Sequence, residues 1–193
     1  MRARGIAALL ALAALAACGG ASRNGDGVSP PPPPPRLMGY RVMLVPAPAG
    51  EPEALESELI FWLTDRAPGV EWVLPDELRD AVRRAPGSGF DLDAPRHVVD
   101  MGGRDRRIAD PLYGDLRRLG AITDATLAVV PLASRQTTDS AGVALELVTA
   151  VVAVRAGRVV WMHTVVGKPA LSLQDAVASA AAEVARILIP PEG

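Results

Sequence analysis

Few side chains in this 193-residue sequence are of types that do chemistry, and their surroundings sort them quickly. Cys18 is the single thiol, which excludes an intramolecular disulfide and a cysteine-based zinc site, so it acts alone or is modified. The two histidines are His97 and His163. His97 stands near Asp93, Asp100 and Asp105, where imidazole and carboxylate oxygens could ligate a metal or form a His–Asp pair. Their intervals match no fixed ligand pattern, so the group reads as solvated loop charge, and neither metal nor other cofactor is expected. His163 sits in an apolar run beside Trp161 and reads as a strand histidine, exposed at a sheet edge or hydrogen-bonded in the core.

Ser134, Ser140, Ser172 and Ser179 lack the Gly-x-Ser-x-Gly setting of a nucleophile elbow. The glycine clusters at Gly87 and at Met101 lack the lysine and the strand-to-helix frame of a phosphate loop. No catalytic residue is assigned and no enzyme is expected. Arg104, Arg106 and Arg107 form a short basic run that could meet an anionic head group or a partner protein.

The setting of Cys18 is the most informative stretch. Arg2 and Arg4, an apolar run from Ile6 to Ala14 and then Leu15-Ala16-Ala17-Cys18 have the anatomy of a secretory signal. The run is too short to cross a bilayer core, which needs about 20 residues. Leu15-Ala16-Ala17-Cys18 resembles the lipobox of bacterial lipoproteins at every position. The resemblance implies cleavage between Ala17 and Cys18, a diacylglyceryl group on the thiol and an acylated new amino terminus. Two or three chains anchor stably where one does not. Gly19 follows in place of the aspartate that retains enterobacterial lipoproteins at the inner membrane, so the outer membrane is the expected destination, on its periplasmic face. Residues 18–36 then form a tether, Gly/Ser/Asn/Asp-rich and closing on the prolines Pro30 to Pro35, a stiff polyproline spacer of about 3.1 Å per residue. A proline-recognition site is the alternative reading of that run.

Residues 37–193 read as one globular periplasmic domain. Hydrophobic residues make up 49% of the chain and aromatic ones 4%, so the core must be built from Val, Leu, Ile and Ala. Loss of Arg2 and Arg4 with the signal takes the formal charge from −2 to −4, which offers no general attraction for nucleic acid.

Periodicity predicts the elements. Tyr40 to Pro46 and Val70 to Leu74 are short strands, and Leu55, Leu59, Trp62 and Leu63 mark one face of a helix between them. Ile60 and Phe61 fall outside that stripe and either widen it or form an interface. Pro75 opens a second helix, with Leu78, Ala81 and Val82 sharing a face. Pro86 to Asp110 reads as a long loop. Asp110-Pro111 starts a third helix that Gly120 should stop. Thr126 to Leu132 is apolar on both faces, as a central strand would be. Val143–Arg155 and Arg158–Val166 form a long hairpin around Ala156-Gly157, with Val159, Trp161, His163 and Val165 on one face. Ser172 caps a final helix with Asp175, whose stripe is Leu173, Val177, Ala180, Val184 and Ile187 or Leu188. The class is α/β (α+β), a mixed sheet of about five strands with helices packed on it.

The stretch Leu119-Gly120-Ala121, Asp124-Ala125 ahead of the central strand, and Gly157 with Val159-Val160-Trp161, resembles a group of periplasmic lipoprotein domains. That group includes the curli secretion lipoprotein, the lipoprotein activators of penicillin-binding proteins and the amino-terminal domain of TolB. The resemblance implies a non-catalytic, membrane-anchored module for envelope interaction or assembly, with an envelope protein as partner. Paired amphipathic hairpins for a pore are absent. A weaker likeness to auxiliary lipoproteins of ABC-type lipid transport implies lipid handling instead. A third class is an envelope hydrolase or metal-dependent enzyme built on residues 87–110.

Overall fold

The computed structural model describes residues 33–85, 92, 96–100 and 105–190. In chain order these form β1 (Arg41–Leu44), α1 (Ala54–Arg66), β2 (Glu71–Val73), α2 (Pro75–Arg84), β3 (Val98–Asp100), β4 (Arg106–Ile108), α3 (Leu112–Thr123), β5 (Leu127–Asp139), β6 (Gly142–Ala153), β7 (Arg158–Val166) and α4 (Leu173–Leu188). The strands make one mixed sheet of seven in the order β2-β1-β5-β6-β7-β4-β3. The first three run parallel, the rest antiparallel. The fold is α+β, as the periodicity predicts.

Helices cover both faces, because alternate residues of β5 and β6 are apolar on both sides. Val129, Leu147 and Val151 pack with Leu55, Leu59 and Leu63 of α1 and with Val177, Ala180 and Val184 of α4. Ala128, Val130 and Val152 pack with Leu78 of α2 and Leu112, Leu116 and Leu119 of α3. Small alanines on α4 (Ala176, Ala180, Ala181, Ala185), all fully buried, let that helix lie close to the sheet. Ser172 caps α4 by accepting from Asp175 N–H at 3.1 Å, the predicted pairing.

Several expectations are corrected. The sheet has seven strands, not about five: β3 and β4 lie within the segment read as loop, and β5 runs on to Asp139 instead of ending at Leu132. The third helix passes through Gly120, which is buried against Val154 and Ala125, and ends where Asp124 takes a left-handed conformation with φ 57°. Leu173 is 38% exposed, since the buried stripe of α4 begins at Ala176. A register shift between Val151 and Val152 puts Val159 with the α3 side and Trp161 and Val165 with the α4 side, so Val159 does not share their face.

The topology sorts the domain into two ends. One collects the start of β1, the close of α1 and α4, the β6–β7 turn and α3; the chain enters here through Leu37, so it is called the tether end. The other, the hairpin end, collects the β5–β6 turn, the β7–α4 loop and the first turns of α1, α2 and α4.

Candidate functional site

The hairpin end is shaped by β5 and β6, whose pairing extends without a third strand to the turn at Asp139–Gly142. β1 pairs with β5 only through Val129, and β4 pairs with β7 only at Arg158. Among the described residues no strand therefore covers the outer edge of β5 from Pro131 to Asp139 or that of β7 from Trp161 to Val166. Glu51 Oε1 accepts one N–H on the first of these edges, from Ser134 at 3.0 Å. Beside the hairpin, Val143 and Ala170 exchange backbone hydrogen bonds of 2.8 Å. That bridge fixes the β7–α4 loop, where Leu171 is 98% exposed; Val166 nearby is 59% exposed. Open edges and apolar side chains held in solvent by a braced backbone are features of a surface that other chains bind.

The tether end is different. Leu37 is buried against Ala67, Val70 and Leu188, and a groove of about 980 Å³ runs between Pro34–Met38, the close of α1 and the close of α4. Arg66 Nε bridges its walls by donating to Ile189 O at 2.9 Å. Pro34 and Pro35 are half-buried in that groove, so the last prolines of the run lie on the domain.

The residues singled out from sequence distribute as follows. Ala17, Cys18, Asp93 and Arg104 lie outside the described residues. Arg106 and Arg107 are exposed on β4, and alternation turns them to opposite faces. Arg107 is the cross-strand neighbour of Arg158 and lies 3.8 Å from Asp105, while Arg106 lies 4.0 Å from Asp100. His97 is exposed ahead of β3, and its carbonyl accepts from Ala109 N–H at 2.9 Å. Among the described residues no group of three His, Cys, Asp or Glu could hold a metal ion. His163 is half-buried in β7, its ring stacked on Trp161 with centroids 5.8 Å apart, and pairs in register with Thr149. No ion-pair partner faces it among the described residues. The serines act locally: Ser172 caps α4, and Ser179 Oγ accepts from Lys168 N–H at 2.7 Å.

Sequence reasoning missed Arg96. It is 9% exposed, and its guanidinium donates to the carbonyls of Pro46, Pro131 and Leu92. Pro46 lies just past β1 and Pro131 in β5 just past its pairing with β1, so their carbonyls take a side-chain donor in place of a strand. No periodic signal marks such a residue.

Phe61 is 57% exposed and set edge-on against Trp62 at 5.2 Å, whose indole donates to Glu58 at 3.2 Å, while Ile60 packs on the core. Among the described residues no helix is long and apolar enough to cross a membrane.

No family model matches this chain, and no curated protein matches it. Among solved structures, a PelC dodecamer from Paraburkholderia phytofirmans is similar at 13% identity over 82% of this chain and 94% of that one, with a TM-score of 0.42.

Proposed function

We propose that this chain is a non-catalytic lipoprotein, held by lipid on Cys18 to the periplasmic face of a bacterial membrane, the outer one in preference, and that it engages another envelope protein through its hairpin end. The supporting observation is the paired β5–β6 extension, whose β5 edge is covered by no strand among the described residues and which ends beside the exposed Leu171. A partner strand added to β5 would gain main-chain hydrogen bonds, and Leu171 and Val166 would add apolar area nearby. The hairpin points away from the end where the tether joins, so an anchored domain offers it to the periplasm.

The test is a photoreactive residue placed at Thr138 or at Leu171 in the full chain, with Arg117 as the control position. The first two sites should give a discrete adduct with one envelope protein in intact cells, and the control should not. Adducts at all three sites, or at none, overturn the reading. Anchoring is tested separately, since Cys18→Ser should change the apparent mass and remove the lipid anchor, and a chain still membrane-bound at the same mass would overturn it.

The tether-end groove favours a second reading, an auxiliary role in lipid transport. An acyl chain could lie along Leu37, Val70 and Leu188 with its acidic group near Arg66. Co-purification of phospholipid with the full chain, abolished by Val70→Gln, would support that reading over the first.

A further inference from the structure

Charge is unequally divided between the two ends. At the tether end Arg36, Arg66, Arg117, Arg155 and Arg158 are exposed, and no carboxylate lies within ion-pair distance of them among the described residues. The acidic groups there are Asp65, Asp110 and Asp124, together with Glu71, Asp105, Asp115 and Glu183, each of which is matched by its own arginine. The hairpin end carries the opposite excess. Glu51, Glu53, Glu77, Asp139 and Asp175 stand there without an ion pair, against Lys168. Arg79 and Arg135 at that end are both neutralised, by Glu56 with Asp76 and by Glu146.

The tether end also exposes apolar and amphipathic side chains between its arginines. Met38 is 56% exposed, Tyr40 49% and Ile122 50%. They share one end because Thr126 N–H, just after α3, donates to Arg41 O, next to Tyr40, at 3.0 Å. Arginine interleaved with Tyr, Met and Ile is the composition of a surface that sits at the head-group level of a bilayer.

We propose that the tether end is a membrane-docking face that rests on an anionic phospholipid surface, turning the hairpin end toward the periplasm. This deepens the anchored-module reading and rests on it, since the lipid at Cys18 is what keeps the bilayer near. The 15 peptide steps from Cys18 to Pro33 span at most about 50 Å, so the surface stays within reach of Arg36 and Tyr40. At that proximity a weak attraction suffices to orient the domain. The acidic hairpin end is repelled by the same lipids, which gives the orientation its sign.

The experiment uses the full chain carrying Cys18→Ser, so that no covalent lipid contributes, and vesicles of phosphatidylglycerol and phosphatidylcholine against vesicles of phosphatidylcholine alone. Sedimentation should show binding to the anionic vesicles that weakens as salt is raised. Replacing Arg36, Arg117, Arg155 and Arg158 together by Gln should lower that partition by close to three orders of magnitude, at about five-fold per arginine. Replacing Arg135 and Lys168 by Gln at the other end should leave it unchanged, and the signal segment is common to all three chains. Equal binding to both vesicle types, or equal binding of the fourfold variant and its parent, overturns the docking face. Failure of the anchor reading would appear elsewhere, as an unchanged mass for Cys18→Ser in cells.

Discussion

At the tether end Leu37, Ala67, Val70 and Leu188 are each less than 7% exposed, and the chain enters the domain already packed between the closing turns of α1 and α4. At the hairpin end the sheet narrows to β5 and β6, and Leu171 stands 98% exposed beside them. One end thus packs the entering chain into the core and rims it with Met38, Tyr40 and Ile122 among arginines, whereas the other holds Leu171 in water among carboxylates. The first arrangement suits a fixed neighbour of opposite charge. The second suits the partner strand proposed above, which would cover a leucine that stabilises nothing in the isolated chain.

A pair of leucine substitutions breaks or keeps that contrast most directly. Leu188→Ala removes a buried side chain from α4 and should cost about 2–4 kcal/mol, lowering the melting midpoint by roughly 10 °C. Leu171→Ser should stay within about 0.5 kcal/mol of the parent. Comparable losses from both in thermal denaturation would mean that the hairpin end is packed in solution and the contrast is false.

Two turn glycines sharpen it. A Cβ on Gly142, whose φ is 126°, would come within 2.3 Å of the Ala170 carbonyl oxygen, which is backbone and held by the bridge to Val143. One on Gly157, at φ 63°, would meet the Tyr113 ring at 2.5 Å, a side chain that can swing aside. Gly142→Ala should therefore cost about 2–3 kcal/mol and Gly157→Ala about 1–2 kcal/mol in chemical denaturation. The reverse order would place the rigid backbone at the tether end. The hairpin end is then open in its side chains yet strict in its backbone, as a preformed docking edge needs to be.

These features differ in how far the sequence announces them. The stripe Leu55, Leu59 and Leu63, the Ser172–Asp175 cap and the turn at Gly157 were legible because burial and hydrogen bonding impose a spacing that one side chain after another obeys. The far half of β5 was not. From Ser134 to Asp139 it is Ser-Arg-Gln-Thr-Thr-Asp, nearly all exposed, and its pairing with β6 is made by backbone atoms that any residue supplies. β3 and β4, of three residues each, are too short to show a period. The candidate surfaces were legible only as fragments: Arg106 and Arg107 stood out as a run, but their companion Arg158 is brought alongside by the sheet. Division of charge between two ends is a property of topology, and no local window of sequence contains it.

A smaller effect separates the ends by their ion pairs. At the hairpin end Arg79 grips Glu56 with two hydrogen bonds of 2.7 Å, joining the first turns of α2 and α1, and this contact with Glu56 raises the Arg79 pKa above its usual value. Because the Arg79 side chain is 39% exposed, solvent screens much of that attraction. Arg79→Met should cost about 0.5–1 kcal/mol in denaturant, and a loss above about 2 kcal/mol would show that the two helix starts act as a single buried unit.

The tether end supplies the smallest expected effect. Glu183 accepts from Arg186 Nε at 2.7 Å and from its Nη2 within the last turns of α4, and this hydrogen bond holds the Glu183 carboxyl below the usual glutamate range against the opposing pull of desolvation. A carboxyl whose native pKa lies below its unfolded one binds fewer protons when folded. Its contribution is then complete above the ordinary glutamate range and is lost as pH falls through the depressed native value. Glu183→Gln should lower the melting midpoint slightly at neutral pH, by less than any substitution above, and the gap from the parent should close as the pH is taken down through the acid range. Added salt should shrink the gap at neutral pH, because the pair lies at the surface. A gap that persisted in acid would mean that Glu183 acts through packing.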